Sequence, residues 1–192
     1  IIAFVLAIGA AIVSFTPFIF MVLNSFKEKF EMLTKGVFQL PDQLNWSNYT
    51  EVLTGGFANY FKNSVIVLAI SLILLLFISA CASYPLARFK FKMAQPIYAI
   101  IVACMSIPVH ITLIPVFKMS KSTGLYVTIW SLVGPYVACA VPISVFILTS
   151  FMKEIPREIE ESAEIDGCGK IQMFFSMILP LSKPGMATLA IY

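Results

Sequence analysis

Four stretches of the chain contain no Asp, Glu, Lys or Arg: residues 1–26, 63–87, 93–117 and 122–152, which are 26, 25, 25 and 31 residues long. A helix needs roughly 20 apolar residues to cross the hydrocarbon core of a bilayer. A charge at mid-bilayer costs about 2.5–3.5 kcal/mol even on insertion-derived scales, so runs this clean are what a lipid solvent selects. Composition agrees, since 59% of the 192 residues are hydrophobic and only 12% are charged. That is too little polar material to cover a soluble domain, and it excludes both disorder and an ordinary cytoplasmic enzyme. The pattern predicts an all-α, polytopic membrane bundle with complete spans at about 1–26, 63–87, 94–117 and 124–151. The apolar stretch Pro184–Tyr192 reads as the start of a fifth.

Ile1 is not an initiator Met, and no basic segment precedes the first apolar run. That run is too long for a secretory signal and ends in Asn24-Ser25-Phe26-Lys27, without a small-residue cleavage site. The expectation is therefore one transmembrane domain over 1–192, truncated at both ends. Orientation should follow Lys and Arg in the short loops. Arg88, Lys90 and Lys92 fall within five residues with no acid between them, and Lys153, Arg157, Lys170 and Lys183 follow the fourth span. These assign 88–92 and 153–183 to the cytoplasm and make 27–62 extracytoplasmic. The external segment, with Pro41, Asp42 and Gly55-Gly56, predicts turns and one or two small helices. Trp46, Tyr49 and Tyr60 suit the membrane interface.

Pro17, Pro108, Pro115, Pro135 and Pro142 lie in the spans, where each removes a backbone donor and favours a kink. His110 is the single histidine and has no acidic or second histidine neighbour in sequence, so no metal site is expected. It reads either as a polar, pathway-lining or interhelical group, or as a histidine packed near the membrane face. Asn63 and Ser64 read either as a cap at the interface or as contacts to a translocated solute. Cys81, Cys104, Cys139 and Cys168 share no metal or redox spacing and read as small apolar fillers. No GxxxxGK[ST], HExxH, CxxC or GxSxG sequence is present. The chain therefore supplies no catalysis and no bound cofactor of its own, and nucleic acid is not an expected partner.

Residues 153–183 carry ten of the 23 charged residues, with six acids between Glu154 and Asp166. Pro156 suits a helix first turn, and Glu158, Glu160 and Glu161 suit its positive end. Ile155, Ile159 and Ala163 recur every four residues on one face, while Glu154, Glu158 and Glu161 line another. Gly167 or Gly169 is placed to end the helix in a left-handed turn. A second short helix is expected from about Lys170 to Met177, stopped by Pro180. Apolar knobs with an acidic rim fit a partner's groove better than an anionic lipid surface.

Here the sequence resembles a known family. Glu161-Ser162-Ala163-Glu164-Ile165-Asp166-Gly167, nine residues, then Met177-Ile178-Leu179-Pro180 is similar to the EAA loop of ABC importer permeases (Glu-Ala-Ala, three residues, Gly, nine residues, Ile, any residue, Leu-Pro). Ser162 stands for an Ala and Met177 for the Ile. Asn63-Ser64, Tyr84-Pro85-Leu86-Ala87-Arg88-Phe89-Lys90-Phe91, Ile107-Pro108 through Ile114-Pro115, and Gly124-Leu125-Tyr126-Val127-Thr128 resemble the carbohydrate-uptake branch, the relatives of the smaller maltose-transporter permease.

The resemblance implies a type I importer permease of about six spans in a bacterial or archaeal plasma membrane. It implies pairing with a second permease, two ATPase subunits that hold the ATP and Mg, and an extracellular solute-binding protein. Glu161, Ser162, Ala163, Ile165, Asp166, Gly167, Met177, Leu179 and Pro180 would form the ATPase-coupling loop, and Asn63, Ser64 and His110 are candidate pathway residues. The implied cargo is a sugar or oligosaccharide. A glycerol phosphate, amino acid or peptide, and a non-transport scaffold or receptor subunit, stay open at this point.

Overall fold

The computed structural model describes residues 2–36 and 38–192. Ile1 and Val37, which fall in the expected first span and external segment, lie outside the described residues. Among the described residues there is no strand. The chain forms two compact units, Ile1–Lys62 and Asn63–Tyr192.

The first unit begins with α1 (Ile2–Ser25), 24 residues long, or about 36 Å at 1.5 Å per residue, enough to cross a bilayer. Pro17 sits inside it without ending it. The two small helices expected in the external segment are α2 (Lys29–Thr34) and α3 (Ser47–Val52). They are tied to the end of α1 by side chains. Asn48 donates to the carbonyls of Ser25 and Lys27, both at 2.9 Å. Phe26, Trp46 and Tyr49 form an aromatic trio with centroids 5.0–5.8 Å apart, and the buried Lys27 ammonium donates to the Gly36 carbonyl at 3.1 Å. A π-turn over Leu53–Phe57 follows, and Gly56 takes a φ of +94° there.

α4 (Ala58–Arg88) spans 31 residues. Asn63 and Ser64 therefore lie inside a helix already under way and do not cap its start, as one reading expected. In the second unit α4 packs on α7 (Trp130–Glu154): Ala80, Tyr84 and Ala87 cluster with Leu148 and Met152, Val67 clusters with Val133 and Val137, and the small Ser79 and Ser83 of α4 and Ser144 and Thr149 of α7 are buried. Small side chains let two helix backbones approach closely where lipid supplies no hydrophobic drive. Ser83 Oγ donates to the Val145 carbonyl at 3.3 Å.

The run expected as a single span at 94–117 is instead two helices, α5 (Ala94–Ala103) and α6 (Val109–Ser122). With the 3-10 turn Cys104–Ser106 that ends α5, the two halves are bent by 96°. Pro108 is the cause. A residue before proline avoids the helical region, and Ile107 is extended at φ −81°, ψ 114°. Of the five prolines expected to kink spans, only Pro108 coincides with a break; Pro115, Pro135 and Pro142 lie inside helices that run on. α7 starts at Trp130 and not near 124, because Gly124, at φ +74°, turns the chain first.

α1, α4 and α7 are long and apolar enough to cross a membrane, and up to five spans result if each bent pair counts as one. The protein is an all-α, multi-pass membrane protein. Cys81, Cys104 and Cys139 are exposed, whereas Cys168 is half-buried and packs against the core cluster that holds Ala163; all four are free thiols.

Candidate functional site

Pro156 ends α7 by forcing Ile155 into an extended conformation, φ −66°, ψ 127°. It precedes the next helix instead of entering its first turn. α8 (Glu158–Ile165) starts with Glu158, Glu160 and Glu161 near its positive end. A helix of eight residues is marginal on its own, so packing must hold it. Glu160 and Ala163 face inward and are buried, while Glu158, Glu161, Ser162 and Ile165 share the opposite face and are exposed. That exposed set follows the i, i+3, i+4, i+7 rule of one helix face. Ile165 is 86% exposed, an apolar knob with no cover from the chain itself.

Gly167 ends α8 at φ +82°. Its N–H donates to the Glu164 carbonyl at 3.0 Å and the next N–H, from Cys168, donates to the Ala163 carbonyl at 2.9 Å. This pair of bonds is a Schellman turn, which satisfies the last carbonyls of the helix. Gly169 is extended and serves as the N-cap of α9 (Lys170–Met173). The Lys170 ammonium pairs with Glu164 across the turn. The hydrogen bond to that carboxylate holds the lysine above its ordinary value of 10.5.

Pro180 does not stop the second helix. The chain continues from α9 through a π-turn, Phe174–Ile178, into α10 (Leu179–Leu181). A proline ring clashes with the carbonyl four residues back in a tight α-helix. The π-turn relieves this by widening the helix, with the Leu179 N–H bonded to the Phe174 carbonyl. A 62° bend then leads into α11 (Lys183–Ile191). Met177 and Leu179 are half-buried and Pro180 is exposed, whereas Ile178, the free position of the pattern, is completely buried. Ile178 joins Ala163, Met173, Phe174, Leu148, Met152 and Tyr84 in one core cluster. The two halves of the 161–180 pattern thus meet through their inward faces.

Arg88, Glu160 and Tyr84, to which the sequence reading gave no anchoring role, anchor this segment. Arg88, counted there among loop charges, is buried and pairs with Glu160, Nε to Oε1 at 2.6 Å. Its Nη2 donates to the Ile155 carbonyl at 2.7 Å. Tyr84, one turn earlier, donates to the Lys170 carbonyl at 3.5 Å and packs on the Phe174 ring, centroids 5.1 Å apart. The available signal was spacing: Ala80, Tyr84, Ala87 and Arg88 fall on one face at the end of α4.

The candidate pathway residues are not gathered. Asn63 and Ser64 are exposed on α4, and His110 is exposed in the first turn of α6. No hydrogen bond among the described residues links His110 to either. In the 27–62 segment, a cleft of about 630 Å³ is lined by Glu28, Glu31, Asp42 and Trp46. Glu31 and Asp42 are both already engaged by Lys35.

Fold and site together define a class: a helical membrane protein with a short helix braced from inside by the ends of its own spans and exposed on its other face. Residues 79–192, which include this entire segment, match the binding-protein-dependent transport system inner membrane component family. The chain belongs to that family. It is 46% identical over 176 residues to an ABC transporter permease protein, ORF2, of Caldicellulosiruptor sp. strain Rt8B.4, covering 92% of this chain and 64% of the relative. It is 37% identical over 183 residues to the diacetylchitobiose uptake system permease protein NgcG of Streptomyces coelicolor, covering 95% of this chain and 60% of the relative. It is 34% identical over 189 residues to the trehalose/maltose transport system permease protein MalG of Thermococcus litoralis, covering 96% and 67%. The chain thus spans about three fifths of the length of the first two.

Proposed function

We propose that the protein is a membrane-spanning subunit of an ABC importer that carries a sugar or oligosaccharide. It forms half of the translocation pathway in partnership with a second permease. The complete subunit has about six spans, with residues 88–92 and 153–183 in the cytoplasm and 27–62 outside. The 153–183 segment docks on an ATPase subunit, which binds ATP and Mg; this chain performs no hydrolysis. A solute-binding protein delivers cargo to the outer face.

The observation that carries the reading is the two-sidedness of α8. Its inner face, Glu160 and Ala163, is locked to the spans, and its outer face, Glu158, Glu161, Ser162 and Ile165, is free for a partner. Of the pair Ala163 and Ile165, only the latter is available for docking. Ala163, Met177 and Leu179 serve from within, by fixing the angle at which the outer face is offered. The sugar assignment draws on the cargo in the names of two relatives, diacetylchitobiose and trehalose/maltose.

Affinity purification of the full-length protein in mild detergent, with mass spectrometry of bound proteins, tests the assembly. An ATPase, a second permease and a binding protein are the expected companions; recovery with a signalling protein and no ATPase would overturn the reading. Uptake of radiolabelled maltose and diacetylchitobiose by cells with and without the gene addresses cargo. Uptake of an amino acid or a glycerol phosphate that depends on the gene would replace the sugar assignment and leave the importer intact.

A further inference from the structure

The Arg88–Glu160 pair joins the last residue of α4 to the inner face of α8, with side chains 3% and 11% exposed. The same guanidinium donates to the carbonyl of Ile155, the extended residue between α7 and α8. One side chain therefore grips both the coupling helix and the joint about which that helix would tilt. Tyr84 adds a second attachment from the same turn of α4, through its hydroxyl to Lys170 and its ring to Phe174.

A buried ion pair is a poor choice where only adhesion is needed. Its desolvation offsets most of its attraction, and an apolar pair of the same volume holds as well. What Arg88 adds is two holds from one rigid planar group: its Nε rests against Glu160 Oε1 as a charge contact, and its Nη2 makes a directed hydrogen bond to the Ile155 carbonyl. Pro156 leaves the α7–α8 joint without helical hydrogen bonding, so α7 alone transmits a push on α8 poorly. The route with continuous helix behind it is α4, which runs from Ala58 to Arg88 without a break.

We infer that Arg88, acting through Glu160, is the positioning residue that makes α4 follow the coupling helix, so that a displacement of α8 by an ATPase reaches the span and is not absorbed at the Ile155–Pro156 joint. This rests on the importer reading. It assigns to a buried carboxylate, one residue before the exposed Glu161, the task of carrying motion inward, while the exposed face makes the dock.

The test uses the complete complex in a cysteine-free background, with a bimane fluorophore on Val65→Cys, an exposed position near the far end of α4. ATP with vanadate is expected to shift the probe's emission in the parent complex. Arg88→Glu and Glu160→Arg should each abolish the shift while the ATPase still co-purifies and still hydrolyses ATP. The exchanged pair, Arg88→Glu with Glu160→Arg, should restore it. A shift that survives in either single variant, or one that the exchange does not restore, overturns the inference. Loss of the ATPase from the single variants also overturns it, because the pair would then merely fold the loop. A parent complex that binds ATPase but leaves the probe unmoved overturns it alone, whereas a parent that binds no ATPase removes the importer reading with it.

Discussion

Gly167 shows how a single backbone angle sets the link between α8 and α9. At φ +82° it closes the Schellman turn, and a Cβ added there would meet no atom within 4 Å. The cost of replacing it is therefore conformational, about 1–2 kcal/mol for an L-residue in the left-handed region, and does not scale with side-chain bulk. Asn tolerates this region and a β-branched residue does not. Gly167→Asn should keep ATPase capture near the parental amount and Gly167→Val should lose most of it, as read by pull-down from solubilised membranes. Equal capture by the two would separate the turn from docking. Gly167 was legible as a turn because glycine has few other uses after an amphipathic run. Arg88 was not, since a charge at the end of a span looks like any loop charge until the fold brings Glu160 to it. Ala163 was placed on the right face, yet its burial shows that this face points inward and Ile165 outward.

Among the elements, the long uncharged runs were readable because a lipid solvent leaves few alternatives: three of the four hold a helix long and apolar enough to cross a membrane, although α4 starts ahead of 63 and α7 only at Trp130. The break in the third run was not, because hydropathy is blind to backbone direction and Pro108 looks like the prolines that interrupt nothing. The start of α11 illustrates a contact that hydropathy also misses. A Cβ on Gly185 would lie 2.8 Å from Cγ of Phe151 on α7. Gly185→Ala should lower the thermal midpoint of the detergent-solubilised protein, with a loss of about 1–3 kcal/mol typical of overpacking. Phe151→Leu in the same chain should recover part of it; no change in midpoint on Gly185→Ala would mean that the two helices part freely.

The 27–62 segment has a pH window of its own. Glu31 is held below its ordinary value of 4.5, chiefly by the hydrogen bond from Lys35 and next by the Asp42 N–H. Its stabilisation is therefore present above 4.5 and is lost as the pH falls through the folded value. Lys35 is held above 10.5, first by Asp42 and then by Glu31. Its stabilisation is present below 10.5 and is lost as the pH rises through the folded value. Emission from Trp46, in a Trp130→Phe background, should stay flat between those limits and change outside both. Glu31→Gln should remove most of the acid limb, and an unaltered acid limb in that variant would assign the change to another group.

At the scale of the whole molecule, the bend between α5 and α6 decides how the chain crosses the membrane. Ala94–Ser106 has 13 residues, about 20 Å of helix against a hydrocarbon core of about 30 Å. Neither half spans alone at this length, so the pair either crosses as one broken span or turns back. Lys92 and Lys121 flank it, and the two alternatives put them on opposite sides or on the same side. The importer reading requires opposite sides, since α4 brings Lys92 to the cytoplasmic face and α7 must return there with Glu154 and the coupling helix. A crossing also sets the 107–110 stretch inside the membrane, where unpaired backbone groups persist only if protein or a water-filled cavity surrounds them. That is the one arrangement in which His110 has access to a pathway. With cysteine introduced singly at each position in the full-length protein, a membrane-impermeant maleimide should label Lys121→Cys in intact cells and Lys92→Cys only in inverted vesicles. Labelling of both from the same side would make the pair re-entrant and reverse the orientation of α7. The coupling helix would then lie outside, where no ATPase could reach it.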